Sequence, residues 1–347
     1  MVRTLVQAVM LVLLCSHSAS AAVILMYHHV DANAPASTSV SPEQLADNLD
    51  QLAKEGFEVV RLDELVEQVR AGVDPRRKLV AITFDDAYRS IYEAGIPAVE
   101  ARGWKATVFI NAAGVGDAGN AMSKEMIADM HRRGHLLLNH SYSHLHMVRR
   151  LADESEKQWL ARVRADIDKG QEQLAQWLGE TPLPWLAWPY GEQSEPLREL
   201  LKEMGYLAFG QQSGALGANT DWQNIPRIPV NGLHADWGSL RDKVLALPLP
   251  VRTTLPADGI TEEARPTLTL LLNGDWRRRN IQCFAGPRLV TPTLRFSDGV
   301  SEMTVRSKAD IPLGRSRYNC TAAAGDGRFY WYSWVWMRRT AEQWYAE

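Results

Sequence analysis

The chain is poor in cysteine. Of its 347 residues only Cys15, Cys283 and Cys320 carry a thiol, too few for a disulfide-dense scaffold. It also lacks an excess of either charge: 38 Lys and Arg against 41 Asp and Glu leave a formal net charge of −3. That balance lacks the basic footprint of a nucleic-acid binder, and residues 250–347, with 14 basic and 10 acidic side chains, do not supply one. Beyond residue 21 no apolar run is long enough to span a bilayer, so no transmembrane segment is expected. Internal repeats are absent as well.

What is present begins with an export signal. Arg3, the apolar run Leu5 to Leu14 and the small residues Ala19-Ser20-Ala21 follow the order of a secretory signal peptide. Residues 1–21 are therefore expected to be removed, and the mature chain to be exported, periplasmic or extracellular. Leu14 is not the small residue that lipidation of Cys15 would need. In an oxidising compartment the two remaining cysteines, Cys283 and Cys320, are expected to form one disulfide; two buried free thiols are the alternative.

From Val23 to about Leu247 strand and helix patterns alternate. Apolar runs at Val23–Tyr27, Lys78–Phe84, Thr107–Ile110, Leu136–Asn139, Trp185–Trp188 and Tyr206–Phe209 read as buried strands. Ser41-Pro42-Glu43-Gln44 has the form of a capping box with proline at the first helical position. Trp159, Val163, Ile167, Leu174 and Leu178 mark a long amphipathic helix. Repeated βα units predict an α/β fold, a distorted (β/α) barrel, complete or incomplete, with an open doubly wound sheet as the alternative. Residues 248–266, rich in proline and turn formers, are expected to be a linker. After it, Thr267–Leu272, Arg288–Phe296, Glu302–Arg306 and Phe329–Met337 predict a smaller, β-rich accessory domain over 267–347.

Three motifs carry chemistry, each at the C-terminal end of an expected strand, where parallel α/β folds place their sites. Asp85 and Asp86 are adjacent carboxylates, costly to bury unless their charge is used. His140 and His144, four residues apart, can face one metal ion. An aspartate with two histidines leaves a coordination position open for water, as hydrolytic sites require. Pro189-Tyr190-Gly191 forces a turn that can aim a backbone N–H at a developing oxyanion. Each motif also has a structural explanation alone: a helix cap, a surface histidine pair, a plain turn.

In this order the three pieces resemble the polysaccharide deacetylase family (carbohydrate esterase family four). The resemblance spans roughly Val23 to Val244. It implies Asp85 as general base, Asp86, His140 and His144 as ligands of a divalent ion (Zn²⁺ best suited, Co²⁺ or Ni²⁺ also fitting), and Pro189 and Tyr190 as groove and oxyanion residues. Two departures stand out. The arginine that usually precedes the third motif and orients the base is Ala187 here, and a late leucine-x-histidine is missing because Leu233 and His234 are adjacent. The segment that fits is Leu25-Met26-Tyr27-His28, placed as in the biofilm poly-β-1,6-N-acetylglucosamine deacetylases, whose motifs run in permuted order. It implies His28 as the general acid, with His29 supporting the loop at the substrate side; a packing histidine is the structural alternative.

The function implied is an exported, metal-dependent deacetylase acting on N-acetylglucosamine units of an envelope or extracellular polysaccharide, a biofilm exopolysaccharide among them. Chitin-like oligomers or peptidoglycan are alternative substrates, and a non-catalytic polysaccharide-binding relative is the alternative class. The aromatic run Phe329 to Trp336 offers either a sugar-stacking face or core packing, and the accessory domain a docking site for an envelope or secretion-machinery partner.

Overall fold

The computed structural model describes residues 22–72, 74, 77–116, 119–341 and 344; the expected signal peptide, residues 1–21 with Cys15, lies outside them. The N-terminal part is a curled parallel sheet. Its strands run in the order Ile228–Pro229, Ala22–Tyr27, Leu79–Asp85, Thr107–Ile110, Leu136–Asn139, Trp185–Ala187, Leu207–Phe209, and Glu58–Val59 adds to the Leu79–Asp85 strand. The order has two ends, bridged by the isolated parallel pair Phe209–Ile225, so the sheet does not close as a regular barrel. Ala22–Tyr27 and Leu79–Asp85 are buried throughout, as strands covered on both faces must be.

Local chemistry explains the helices. Ser41 caps Pro42–Lys54 through the expected reciprocal box with Gln44, and Ser155 with Gln158 does the same for Glu156–Leu178. The helical segment after Leu79–Asp85 is broken in two: a π turn at Ile91–Gly95 precedes an α-helix at Ile96–Glu100. Pro97, which has no N–H to donate, sits in the first turn of the second piece. Among the described residues no helix is long and apolar enough to cross a membrane.

The C-terminal region is mostly β. One sheet pairs Leu247–Pro248, Phe329–Arg338, Gly314–Ala323, Ile281–Ala285 and Arg288–Val290, with Ile260–Thr261 beside Phe329–Arg338; the other orders Val251–Leu255, Thr267–Asn273, Val300–Arg306, Thr293–Ser297. Two expectations are corrected. Residues 248–266 are not free linker, since Val251–Leu255 pairs antiparallel with Thr267–Asn273 and Ile260–Thr261 pairs with Met337–Arg338. The single strand expected at 288–296 is two, Arg288–Val290 and Thr293–Ser297, in different sheets; Pro292, lacking an N–H, lies between them. Cys283 and Cys320 are directly opposed on neighbouring strands and form the expected disulfide.

The aromatic strand Phe329–Arg338 is shared between two cores. Tyr330, Tyr332, Trp334 and Trp336 pack with the sandwich interior, whereas Trp331, Val335 and Met337 pack on hydrophobic clusters of the parallel-sheet region. Alternation along the strand explains the division. Of the two alternatives for this run, core packing is the one observed, and the strand joins the two parts of the chain.

Candidate active site

Register places the functional side chains on one rim. Tyr27 pairs with Phe84, Asp85 with Phe109, Ile110 with Asn139 and Ala187 with Phe209, so His28, Asp85-Asp86, His140 and the 189–191 turn all follow the C-terminal ends of adjacent strands. The backbone there is strained. Asp86, His144 and Tyr190 have positive φ (72°, 53° and 59°), as does Ser141 (67°), which follows His140. Non-glycine residues tolerate this region only where the surroundings hold them in it. Asn139 helps to do so: it accepts from the Ser141 N–H at 2.8 Å and donates to the Ile167 carbonyl of the long helix at 2.9 Å.

Asp86, His140 and His144 bring one ligand atom each within 4.8 Å of the others. Asp86 Oδ1 lies 3.6 Å from His140 Nε2 and 3.4 Å from His144 Nε2. His140 Nδ1 donates to the Ala187 carbonyl at 2.8 Å, which fixes the tautomer and turns the Nε2 lone pair toward Asp86. Asp86 Oδ1 and His140 Nε2 are both buried without a hydrogen-bond partner. Two buried, convergent, unsatisfied acceptors are what a cation requires, so the residues fit a divalent metal. Burial pushes His140 down to about 3, keeping it in the neutral, ligating form. Burial, opposed by His28 and aided by Asp85, raises Asp86 to about 6. Such a carboxylate gains most from a cation.

Asp85 differs from its neighbour. Burial alone would raise its pKa, but the Arg227 charge, His140 and the Arg227 hydrogen bonds outweigh it and hold the carboxyl at about 2. Arg227 Nη1 and Nη2 donate to Asp85 Oδ1 and Oδ2 at 2.5 and 2.7 Å, and both residues are wholly buried. Arg227 Nε donates to the Gly210 carbonyl at 2.9 Å, and its guanidinium lies 5.0 Å from the centre of the Phe109 ring. Arg227 thus makes the contact to Asp85 that Ala187 cannot make, from the entry of the strand Ile228–Pro229. It was not among the residues expected from sequence.

The two histidines of Tyr27-His28-His29 separate. His28 lies near enough to Asp85 and Asp86 to lower both electrostatically. His29 starts the two-residue strand His29–Val30 beside Ser39–Val40, and its ring stacks on Tyr88 at 3.5 Å. Tyr88, also unforeseen, hydrogen-bonds Asp86. Burial and that carboxylate push the Tyr88 hydroxyl upward, so it remains a donor.

Pro189–Gly191 is a 3-10 turn with Pro189 buried. Gly191 is required there: its φ is 67°, and a Cβ would stand 2.7 Å from Gln211 Cβ. The Tyr190 ring meets His144 edge-on at 4.5 Å and stacks on His146 at 4.0 Å. His146 Nδ1 contacts Glu192 Oε2 at 2.8 Å. The late histidine, His234, lies elsewhere, in a turn where its N–H donates to the Asn231 carbonyl.

Comparison with known proteins agrees with this geometry. Residues 72–209 match the family described as Polysaccharide deacetylase. A poly-beta-1,6-N-acetyl-D-glucosamine N-deacetylase of Staphylococcus aureus is 25% identical over 202 residues, 56% of this chain and 68% of that protein. Among solved structures, IcaB from Ammonifex degensii (23% identity, TM-score 0.56) covers 65% of this chain and 98% of its own. The deacetylase PplD of Streptococcus pyogenes (18%, TM-score 0.56) covers 65% and 99%, and the BpsB deacetylase domain of Bordetella bronchiseptica (20%, TM-score 0.53) covers 60% and 96%. At these identities the structural likenesses speak for the fold, a distorted (β/α) deacetylase domain. His28 and Arg227 fall outside residues 72–209, yet the sheet brings both to the residues inside that span. By family match over residues 72–209 and by fold, the parallel-sheet region resembles a polysaccharide deacetylase domain.

Proposed function

We propose that the protein is an exported, metal-dependent N-deacetylase of a poly-N-acetylglucosamine, of the kind named for the Staphylococcus aureus relative. The observation that carries this is the pair of buried, unsatisfied atoms Asp86 Oδ1 and His140 Nε2 beside an Arg227-clamped Asp85. Asp86, His140 and His144 would hold the ion, best matched by Zn²⁺, with Co²⁺ or Ni²⁺ also compatible. When bound, it supplies polarisation of the acetamide carbonyl and acidification of a water.

The protein groups do the rest. Asp85, ionised throughout the neutral range, takes the proton of the attacking water as oxygen adds to the acetyl carbon. The Tyr190 N–H donates to the oxyanion that develops on the former carbonyl oxygen. His28 delivers a proton to the nitrogen as the C–N bond breaks, so acetate and a free sugar amine leave. Amide nitrogen departs poorly unless protonated, which calls for an acid apart from the base. His29, stacked on Tyr88, braces the strand that presents His28. The disulfide supports an oxidising compartment, in line with the export expected from residues 1–21.

Acetate release from a panel of N-acetylated glycans, with and without a chelator, tests the proposal. Chelator-sensitive release from β-1,6-linked N-acetylglucosamine oligomers is expected. Release only from chitin-like oligomers or peptidoglycan would replace the substrate, and no release from any of them would favour a polysaccharide-binding role.

A further inference from the structure

We propose that the C-terminal β region is a working part of the active-site rim, with Arg315 as the residue that positions the 189–191 turn. The inference rests on the proposed function for its kinetic consequence, and on geometry alone for the contact.

Arg315 and Arg317 sit two apart on the Gly314–Ala323 strand, so they project from the same face. Arg315 Nη1 donates to the Tyr190 carbonyl at 2.6 Å, its guanidinium lies 5.5 Å from the centre of the Tyr190 ring, and its Nε is 3.9 Å from Glu192 Oε1. Arg317 Nη2 donates to the Gln211 carbonyl at 3.1 Å. Gln211 is the residue against which Gly191 is packed too closely to admit a Cβ. The two arginines therefore hold both backbone stretches that enclose the turn. Glu192 is wholly buried, so its carboxylate depends on cationic and hydrogen-bonding neighbours, and Arg315 and His146 are two of them.

The turn so gripped is a strained one. Tyr190 has φ 59° and ψ 3°, a conformation that a tyrosine holds only when its surroundings impose it. Its ring contacts the metal-ligand candidate His144, and its N–H is the proposed oxyanion donor. Release of the Tyr190 carbonyl would let the Tyr190–Gly191 peptide turn and the strained φ and ψ of Tyr190 relax, which would shift its ring and its own N–H away from the acetamide. Arg315 acts through Tyr190, as a positioning residue; it lies between Cys283 and Cys320, which are 37 positions apart and joined by the disulfide.

The test compares Arg315→Ala and Arg315→Lys with Arg328→Ala, an arginine paired with Asp326 at the other end of the same hairpin. Hydrogen–deuterium exchange on the full chain reads the contact without catalysis. Arg315→Ala should speed exchange of the 190–192 amides about tenfold or more, leave the 136–140 amides as in wild type, and be partly reversed by Lys. Acetate release should show kcat down about tenfold or more with metal affinity unchanged, the cost of a small misplacement. If Arg315→Ala does not fold, Arg315→Gln takes its place. Unchanged exchange at 190–192 would overturn the clamp, whatever the activity. Faster exchange with wild-type kcat would overturn the positioning role. A wild-type enzyme inactive on every glycan would defeat the proposed function while leaving the exchange result standing.

Discussion

Arg227 and Asp85 form a two-pronged ion pair with no solvent exposure, 142 residues apart in the chain. Removing either partner leaves a buried charge uncompensated, which costs about 3–5 kcal/mol. Arg227→Ala is therefore expected to lose stability on that scale and nearly all turnover. Arg227→Lys keeps the charge and loses the fork, so it should fold better than Ala yet remain a poor enzyme. Urea denaturation and acetate release on both variants check this; a fully active Arg227→Lys would show that charge alone suffices.

The metal-ligand set predicts a stability response that needs no substrate. A ligand that binds only the folded state at a hundred times its dissociation constant adds about 2.7 kcal/mol. Zn²⁺ added to metal-stripped protein should raise the melting temperature of wild type and of Asp85→Asn. It should not raise that of His140→Ala. An equal rise in all three would place the ion elsewhere.

His28 and His29 should be separable by kinetics. His28→Ala is expected to lower turnover by about 10²–10⁴-fold, the usual size for general acid catalysis. His29→Ala removes a ring stacked on Tyr88 and should cost less. The reverse order would assign the acid to His29.

The acidic flank of the stability profile should involve a site remote from chemistry. The Arg133 hydrogen bonds outweigh burial, which pushes the other way, and with His135 hold Glu100 at about 2, against an ordinary 4.5. A depressed carboxylate stabilises fully above its unfolded value, and that stabilisation fades as pH falls from 4.5 toward 2. His135, pushed down by burial, acts in the same sense from just below 6.5, because the unfolded chain takes up its proton first. Glu100→Gln should flatten the loss of stability below pH 4.5; an unchanged slope there would remove Glu100 from the acid response.

The chemistry visible in sequence is the chemistry carried by short spacing. Asp85-Asp86, His140/His144 and Pro189-Tyr190-Gly191 each lie within five residues, and their strand ends follow from apolar runs that match the observed strands, Thr107–Ile110 and Leu136–Asn139 among them. Arg227 escapes because nothing local marks it; only the pairing of Ile228 with Leu25 brings it beneath Asp85. Tyr88 escapes for a similar reason, its role set by a carboxylate two residues away in a strained turn. The aromatic run Phe329–Trp336 is legible as a strand, but not the fact that each face has a core waiting for it. The strand Gly314–Ala323 was missed because polar Arg315, Ser316, Arg317 and Asn319 break up the apolar pattern. Both of those arginines reach the parallel-sheet region.

Gly170 offers a prediction whose sign runs against helix propensity. It lies inside Glu156–Leu178, where alanine would ordinarily add about 1 kcal/mol. A Cβ there would stand 2.8 Å from Asn139 Oδ1 and 2.9 Å from the Ser141 carbonyl carbon. Neither can yield cheaply, because Asn139 ties the loop to the helix and Ser141 sits between His140 and His144 in a strained conformation. Overpacking of this kind costs about 1–3 kcal/mol, which outweighs the propensity gain. Gly170→Ala should therefore be less stable than wild type and bind Zn²⁺ more weakly, since the displaced loop carries His140 and His144. Calorimetric titration of the metal and urea denaturation would measure both, and a variant more stable than wild type with unchanged affinity would mean that the helix does not press on the histidine loop.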